Sequence, residues 1–186
     1  QGRNFCNKIW NAYRLIRGWE VSADIQQSEH SKLAAEWFDN KLSQTIETID
    51  EHFSKFRLSD ALMTLYKFFW DDFCAWYLEV IKPEYGKPID KVTYDTTIVF
   101  FEKLLRLLHP IMPFITEELW QNIEERKDGE TIMLQPQPKA APYSVETIHA
   151  FEQGVGAIAS VRNIRQSKGL SPKEALTLQI KGAFPE

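Results

Sequence analysis

The sequence predicts a mainly α protein, an antiparallel helix bundle followed by a short α/β extension. Three observations carry this. Apolar residues recur at steps of three and four in successive stretches, the spacing that gathers them on one face of a helix. Prolines, glycines and short polar runs separate those stretches, so neighbouring helices reverse direction over short joints. The 186 residues are 44% apolar and include 12 Phe, 6 Trp and 6 Tyr, enough for a buried core and too much for a disordered chain.

The first helix is expected over residues 3–19, where Phe5, Ile9, Ala12, Ile16 and Trp19 step by 4, 3, 4 and 3. Gly18 weakens its end, and the polar run 22–31 reads as a linker. A second helix over 31–55 turns Phe38, Leu42, Ile46, Ile49, Phe53 and Phe56 inward. Ser59 is placed to cap a third, with Asp60 in its first turn and the stripe Leu62, Leu65, Phe69, Phe73, Trp76 and Val80. Lys82-Pro83 stops it, and Tyr85-Gly86-Lys87-Pro88 makes a loop. Tyr94, Ile98, Phe101, Leu105 and Leu108 carry the fourth helix up to the interruption His109-Pro110-Ile111-Met112-Pro113. Pro113 suits the first turn of a fifth helix, where its missing N–H costs nothing, and Glu117 and Glu118 are read as complementing the positive end of that helix dipole. This helix is expected to end near residues 126–129.

Beyond Gly129 the composition shifts. Residues 131–134 read as a short extended run, and Gln135-Pro136-Gln137-Pro138 resists helix formation, which marks a boundary between a bundle domain at 1–138 and a smaller α+β piece at 139–186. In that piece Val145, Ile148, Phe151, Val155, Ile158, Val161 and Ile164 suit a helix over 144–167 that Gly169 ends, and residues 175–180 alternate like a strand. There is no internal repeat. The start, Gln1-Gly2-Arg3-Asn4, has neither an initiator Met nor a signal sequence, so the chain reads as a piece of a longer protein.

Charge and chemistry narrow the function. The 22 Lys and Arg against 26 Asp and Glu leave a net charge of −4, which argues against a nonspecific nucleic-acid coat. The distribution is uneven: the first 19 residues carry Arg3, Lys8, Arg14 and Arg17 and no acid, and residues 161–186 are also net basic. Two cysteines, Cys6 and Cys74, make no disulfide framework and point to a reducing compartment. No apolar run reaches the roughly 18 residues a membrane span needs. A phosphate-cradling glycine loop, a nucleophile elbow and metal-ligand spacing among the four histidines are all missing, so neither a catalytic residue nor a metal site is expected in this chain. Asp71, Asp72 and Glu79 read as a solvated rim and Cys74 as a packed thiol. Trp19, Trp70, Trp76 and Trp120 are assigned to the core, whereas Trp10 and Tyr13 stay open between packing and base stacking.

The first helix is where the residues themselves suggest function. Asn4, Lys8, Asn11 and Leu15 share a face about 100° from the apolar stripe, and Arg3, Asn7 and Arg14 continue it around the helix. Asn7 and Asn11 offer paired donors and acceptors for base edges, while Lys8, Arg14 and Arg17 offer charge for phosphates. The alternative, that these asparagines only bond a neighbouring segment, stays open from spacing alone.

Three blocks in order then carry a resemblance: Gly2-Arg3-Asn4-Phe5-Cys6-Asn7-Lys8-Ile9-Trp10-Asn11-Ala12, then Trp70-Asp71-Asp72-Phe73-Cys74-Ala75-Trp76-Tyr77-Leu78-Glu79, then His109-Pro110-Ile111-Met112-Pro113-Phe114-Ile115-Thr116-Glu117-Glu118-Leu119-Trp120. Together they resemble the anticodon-binding region of the valyl-tRNA synthetase family, over about residues 2–182. The third block is shared with the isoleucine and leucine enzymes, while the first two and the stretch 160–178 favour valine. The resemblance implies a cytoplasmic parent enzyme that joins valine to its tRNA with ATP and magnesium, with catalytic and editing domains upstream and no cofactor in this chain.

Carried over by position, the resemblance implies that Lys8, Asn11, Arg14 and Leu15 face the anticodon of valine tRNA. Arg3, Asn7 and Arg17 follow as further tRNA contacts, and Arg162, Arg165 and Lys168 match a region that approaches the outer corner of the tRNA. No membrane, no DNA and a monomeric state complete the expectation. Two positions depart from the family pattern. Leu15 stands where many members carry an aromatic, which replaces stacking by apolar contact, and Gln137 stands where relatives often carry Trp. His109 reads as bonding within its own turn. Two competing readings are the anticodon domain of an isoleucine enzyme and a non-catalytic helical interaction bundle.

Overall fold

The computed structural model describes residues 2–171 and 174–177. It is mainly α. In chain order the elements are α1 (Gly2–Arg17), β1 (Val21–Ser22), α2 (Glu29–Ser54), α3 (Leu58–Lys67), a π-helical stretch (Phe68–Tyr77), α4 (Leu78–Ile81), β2 (Ile89–Asp90), α5 (Lys91–Leu108), α6 (Pro113–Ile123), a single 3₁₀ turn (Ile132–Leu134) and α7 (Val145–Lys168). The chain divides into two compact units, one up to Tyr143 and one from Ser144.

In the first unit α2 is the spine. Its 26 residues span about 39 Å. It starts earlier than the apolar pattern suggests, because Ser28 caps it by accepting from the Ser31 N–H at 3.3 Å. Against it pack α3, the π-helical stretch, α4 and α5. Phe38 is the centre of the contact: its ring lies 5.0 Å from Phe68 at 12°, 4.8 Å from Tyr77 at 29°, 5.4 Å from Phe73 and 5.0 Å from Phe100. Offset and tilted pairs of this kind add to what the buried area alone contributes.

The π-helical stretch corrects the expected inward stripe of the third helix. The α-helical pattern holds to Phe68, whose N–H reaches the Thr64 carbonyl, but the Leu78 N–H donates to the Phe73 carbonyl, five residues back. Widening the coil carries each later side chain around the axis. Phe68, Phe69, Phe73, Cys74, Tyr77, Leu78 and Ile81 are buried, whereas the expected Trp76 and Val80 are only half-buried; upstream, in the regular α3, the expected Leu62 is exposed. Nor does Ser59 cap α3; Arg57 stands at that position without a side-chain bond.

The apolar stripe of α2 assigns Phe53 and Phe56 to the core, and the structure exposes both. For Phe56 the reason is the end of the helix. After Ser54 the chain turns sharply, with Phe56 at φ +56°, a left-handed conformation unfavourable for a residue with a Cβ, and the residue 90% exposed.

A two-residue parallel pair, Val21 with Ile89 and Ser22 with Asp90, ties the segment after α1 to the start of α5, so the expected linker contains a short strand. Asp90 caps α5 by accepting from the Thr93 N–H at 2.8 Å. The buried face of α5 sits one position round from the expected stripe, with Thr93, Thr97, Phe100, Phe101, Leu104, Leu105 and Leu108 inward and Tyr94 and Ile98 half-buried. Its polar members are satisfied: Thr97 Oγ1 bonds the Thr93 carbonyl at 2.7 Å and the Tyr77 hydroxyl at 2.9 Å. Burial raises the Tyr77 pKa well above that of a free phenol, so the hydroxyl stays neutral.

Pro113 opens α6 as expected, and His109 bonds the Thr116 hydroxyl through Nδ1 at 2.8 Å, closing the joint between α5 and α6. Beyond this the region departs from the pattern in the sequence. The helix ends at Ile123, and residues 132–134 form a 3₁₀ turn in place of an extended run, with Ile132 buried and Leu134 exposed. Glu117 does not serve the helix dipole. Its carboxylate accepts from Thr131 Oγ1 at 2.6 Å, the Ile132 N–H at 3.2 Å and Gln121 Nε2 at 2.7 Å, fastening the 3₁₀ turn to α6. Arg126 does similar work from the far end, its guanidinium 3.7 Å from the Trp120 ring centroid and paired with Glu102 of α5 and with Glu124.

In the second unit α7 is capped by Ser144, which accepts from the Thr147 N–H at 3.1 Å, and ends at Gly169, whose φ of +64° suits glycine. Of its expected apolar stripe Ile148 alone is buried among the described residues. Residues 175–177 form no strand, and the remainder of the expected strand, 178–180, lies outside the described residues.

Replacing Phe38 by Ala should cost about 3–5 kcal/mol in urea unfolding, the range for emptying a large aromatic site. Phe56→Gly should instead stabilise the protein by about 1 kcal/mol by removing left-handed strain. Partial burial pushes the Glu117 carboxyl up, but bonds from Thr131, Gln121 and Ile132 outweigh it and hold its pKa below the ordinary 4.5. A carboxylate depressed by folding stabilises the protein above its unfolded pKa and loses that contribution as pH falls through the folded value. Glu117→Gln should therefore lower stability near neutral pH and shrink the gap to the parent protein as the pH is taken below 4.5, read from unfolding midpoints across pH.

Candidate nucleic-acid interface

Helix α1 lies with one face in the core and the rest in solvent. Phe5, Ile9, Ala12 and Ile16 are buried, as the stripe requires, and Trp19 is half-buried just past the helix end. Gly18 ends the helix by bonding the Arg14 carbonyl at 3.0 Å. Phe5 meets the rings of Tyr66 and Phe69 at 4.7 and 5.6 Å, so α1 rests directly on α3 and the π-helical stretch, and it also packs on α5 and α6.

The solvent side carries two polar rows. Asn4, Lys8, Asn11 and Leu15, at steps of 4, 3 and 4, form the first; Asn4 and Asn11 are exposed, Leu15 is 40% exposed, and Lys8 is half-buried. Arg3, Asn7, Trp10, Arg14 and Arg17, at steps of 4, 3, 4 and 3, form the second, and all five are exposed. At about 100° per residue the two rows stand roughly 110° apart around the axis. Of the expected anticodon set, Lys8, Asn11 and Leu15 share the first row and Arg14 stands on the second.

Long-range contacts position these side chains. The Lys8 ammonium sits 5.2 Å from the centroid of the Trp70 ring, which is itself stacked on Tyr66 at 5.5 Å and 25°. Tyr13 is pinned twice: its hydroxyl donates to the Asn122 carbonyl at 3.0 Å, and its ring lies 6.3 Å from Phe101 at 24°. Arg17 donates to the Tyr94 hydroxyl at 3.4 Å, a bond that raises a guanidinium pKa already far above neutrality. Among the described residues the side chains of Arg3, Asn4, Asn7, Asn11 and Arg14 have no hydrogen bond or ion pair to the protein. The helix itself contains no acid, so its solvent face is a positive surface with unspent amide groups.

Several residues singled out by their spacing resolve differently. Trp120 is buried, whereas Trp70 and Trp76 are half-buried, because the first lines the Lys8 site and the second follows the π-helical shift. Trp37 is fully buried on α2. Cys74 is buried beside Phe73, and desolvation pushes its thiol up to about 12, outweighing the lowering effect of Lys8, which leaves it inert. In the second unit Arg162 and Lys168 are exposed on α7, while Arg165 is half-buried and spends its guanidinium on the carbonyls of Ser171 and Glu174 at 2.6 and 2.7 Å. Among the described residues no three His, Cys, Asp or Glu are grouped to hold a metal ion. Sequence reasoning misses Trp70, Tyr94 and the Asn122 carbonyl as supports, since each is far from α1 in sequence and no local spacing announces it.

The fold is a helical bundle with a cationic, amide-bearing first helix, and comparison with known proteins supplies its family. Residues 35–180 match the family model described as the anticodon-binding domain of tRNA ligase, and the chain belongs to that family. More particularly, it is 53% identical to a valine–tRNA ligase of Phocaeicola vulgatus over 185 residues, and 53% identical to one of Parabacteroides distasonis over 186, in both cases across 100% of this chain and 21% of the relative. A valine–tRNA ligase of Porphyromonas gingivalis is 54% identical over 96% of this chain and 20% of its own length. The chain thus spans about a fifth of the length of the curated relatives it matches. Helix α1 precedes the segment matched by the family model but falls within the stretch aligned with the relatives.

Proposed function

We propose that this chain reads the anticodon of valine tRNA as part of a valine–tRNA ligase, an ATP- and magnesium-dependent cytoplasmic enzyme acting as a monomer, whose aminoacylation and editing take place in other domains. The observation that supports this most is the exposed side of α1: a helix without an acid, anchored in an aromatic core, presenting Lys8, Asn11, Arg14 and Leu15. Each has a distinct part. Asn11 offers a donor and an acceptor to a base edge, the pairing geometry that distinguishes one base from another. Lys8 and Arg14 neutralise phosphates, and the Trp70 ring keeps the Lys8 ammonium at the surface. Leu15 offers an apolar contact to a base face or edge. Arg3, Asn7 and Arg17 extend the contact, and on α7 Arg162, Arg165 and Lys168 are further cations for RNA, with Arg165 also bonding the carbonyls of Ser171 and Glu174.

Chemistry is not asked of this chain. The protein's role is to add binding free energy and discrimination at the anticodon, which raises the effective concentration of the acceptor end at a distant catalytic site. A competition assay at two salt concentrations tests it, with valine tRNA, isoleucine tRNA and a valine tRNA carrying a swapped anticodon. Lys8→Ala and Arg14→Ala should weaken binding to all three and make the salt dependence shallower by about one unit of log–log slope each. Asn11→Ala should leave the slope unchanged and remove about 1–3 kcal/mol of discrimination between anticodons. Equal affinity for the three RNAs in the unaltered chain overturns the proposal, and tighter competition by isoleucine tRNA would assign the chain to the isoleucine enzyme.

A further inference from the structure

We infer that the second row of α1 is a separate RNA subsite, in which Trp10 stacks on an unpaired base outside the anticodon triplet while Arg3, Arg14 and Arg17 hold the flanking phosphates. It rests on the reading of the chain as an RNA binder, and goes beyond it by assigning a stacking platform and a second strand contact. Trp10 is 39% exposed, unusual for the largest apolar side chain on a helix that has a well-filled core face of its own. Among the described residues its indole N–H donates to no protein atom. Its ring leans on Tyr13 at 6.0 Å and 50°, and Tyr13 cannot swing away, being held by the Asn122 carbonyl and the Phe101 ring. The platform is therefore supported before any ligand arrives, which lowers the ordering cost of binding.

The surroundings select the ligand. One turn to either side stand Asn7 and Arg14, at i−3 and i+4, and Arg3 and Arg17 lie at i−7 and i+7 on the same row, with no carboxylate anywhere on the helix. An aromatic face flanked along one line by guanidiniums fits the alternation of base and phosphate in a single strand. A protein segment would have to be acidic to tolerate three arginines, and it would leave the indole face without a planar partner. The first row stands about 110° away on the helix, so both rows can be occupied by one loop that folds around α1.

The experiment uses the 186-residue chain and a valine anticodon stem-loop carrying 2-aminopurine at one loop position at a time, whose fluorescence reports stacking. The expected result is quenching at a position outside the triplet that Trp10→Ala abolishes, with binding weakened about tenfold and the preference over a swapped anticodon retained. Trp10→Phe, which keeps a π face, should retain most of the affinity. Quenching that persists in Trp10→Ala, an unchanged affinity, or a loss that Trp10→Phe does not restore overturns the subsite, while discrimination by the unaltered chain leaves the anticodon reading standing. Trp10-dependent quenching without preference for the valine anticodon supports the subsite and overturns anticodon reading. Preferred binding of an acidic peptide with no RNA binding overturns both.

Discussion

The widening of the helix between Phe68 and Tyr77 is the constraint on which the other contacts depend. An α-helix of this composition would spread its aromatics around the axis and leave some of them in water. With hydrogen bonds reaching five residues back, Phe68, Phe69, Phe73 and Tyr77 all turn inward. Phe38 of α2 and Phe100 of α5 close over them, and Phe69 remains available to receive Phe5 of α1. The same widened stretch carries Trp70 out to the rim, where it meets Lys8. One local distortion therefore sets the core, the seat of the first helix and the position of one candidate RNA contact.

The proposed function rests on how α1 divides its circumference. A helix that gives one face to the core has the rest to spend, and here that remainder carries amides, cations and one tryptophan with no acid among them. Rigidity comes from outside the helix. Tyr13, Arg17 and Lys8 are tied respectively to the Asn122 carbonyl, the Tyr94 hydroxyl and the Trp70 ring, so the border of the exposed surface is fixed while its centre is left free to meet a ligand. Such preorganisation matters for RNA, where long-range charge brings the partner near and short-range geometry decides which partner stays.

Around α6 charge is used for construction. Glu117 gathers Thr131, Ile132 and Gln121, and Arg126 lies over Trp120 between Glu102 and Glu124, so the irregular chain after α6 is held to the bundle without a regular element. Hydrogen bonds to a charged group contribute more than neutral ones, and partial burial protects them from screening. The Tyr143 hydroxyl continues the attachment by donating to Glu47 Oε2 at 2.6 Å. These contacts explain why a run rich in proline after Gly129 does not end the first unit.

Much is legible in the sequence because it rests on local physics. Helical periodicity places α1, α2, α5 and α7 near their observed bounds and the start of α6; Pro113 and Gly169 mark a start and a stop through their backbone limits; and the α1 stripe identifies the four buried residues of that helix and the polar face opposite. The motifs and the acid-free opening point to RNA. What the tertiary structure decides is whatever depends on a distant partner. A period of 3.6 does not foresee the wider coil after Lys67, so it misplaces Trp76 and Val80; a stripe does not reveal that the chain turns away before Phe56 can be covered; and dipole logic for Glu117 misses a carboxylate already claimed by Thr131 and Ile132. Sequence spacing determined which residues share a face of α1, and the fold alone determined that Trp70, Tyr94 and Asn122 hold Lys8, Arg17 and Tyr13 in place.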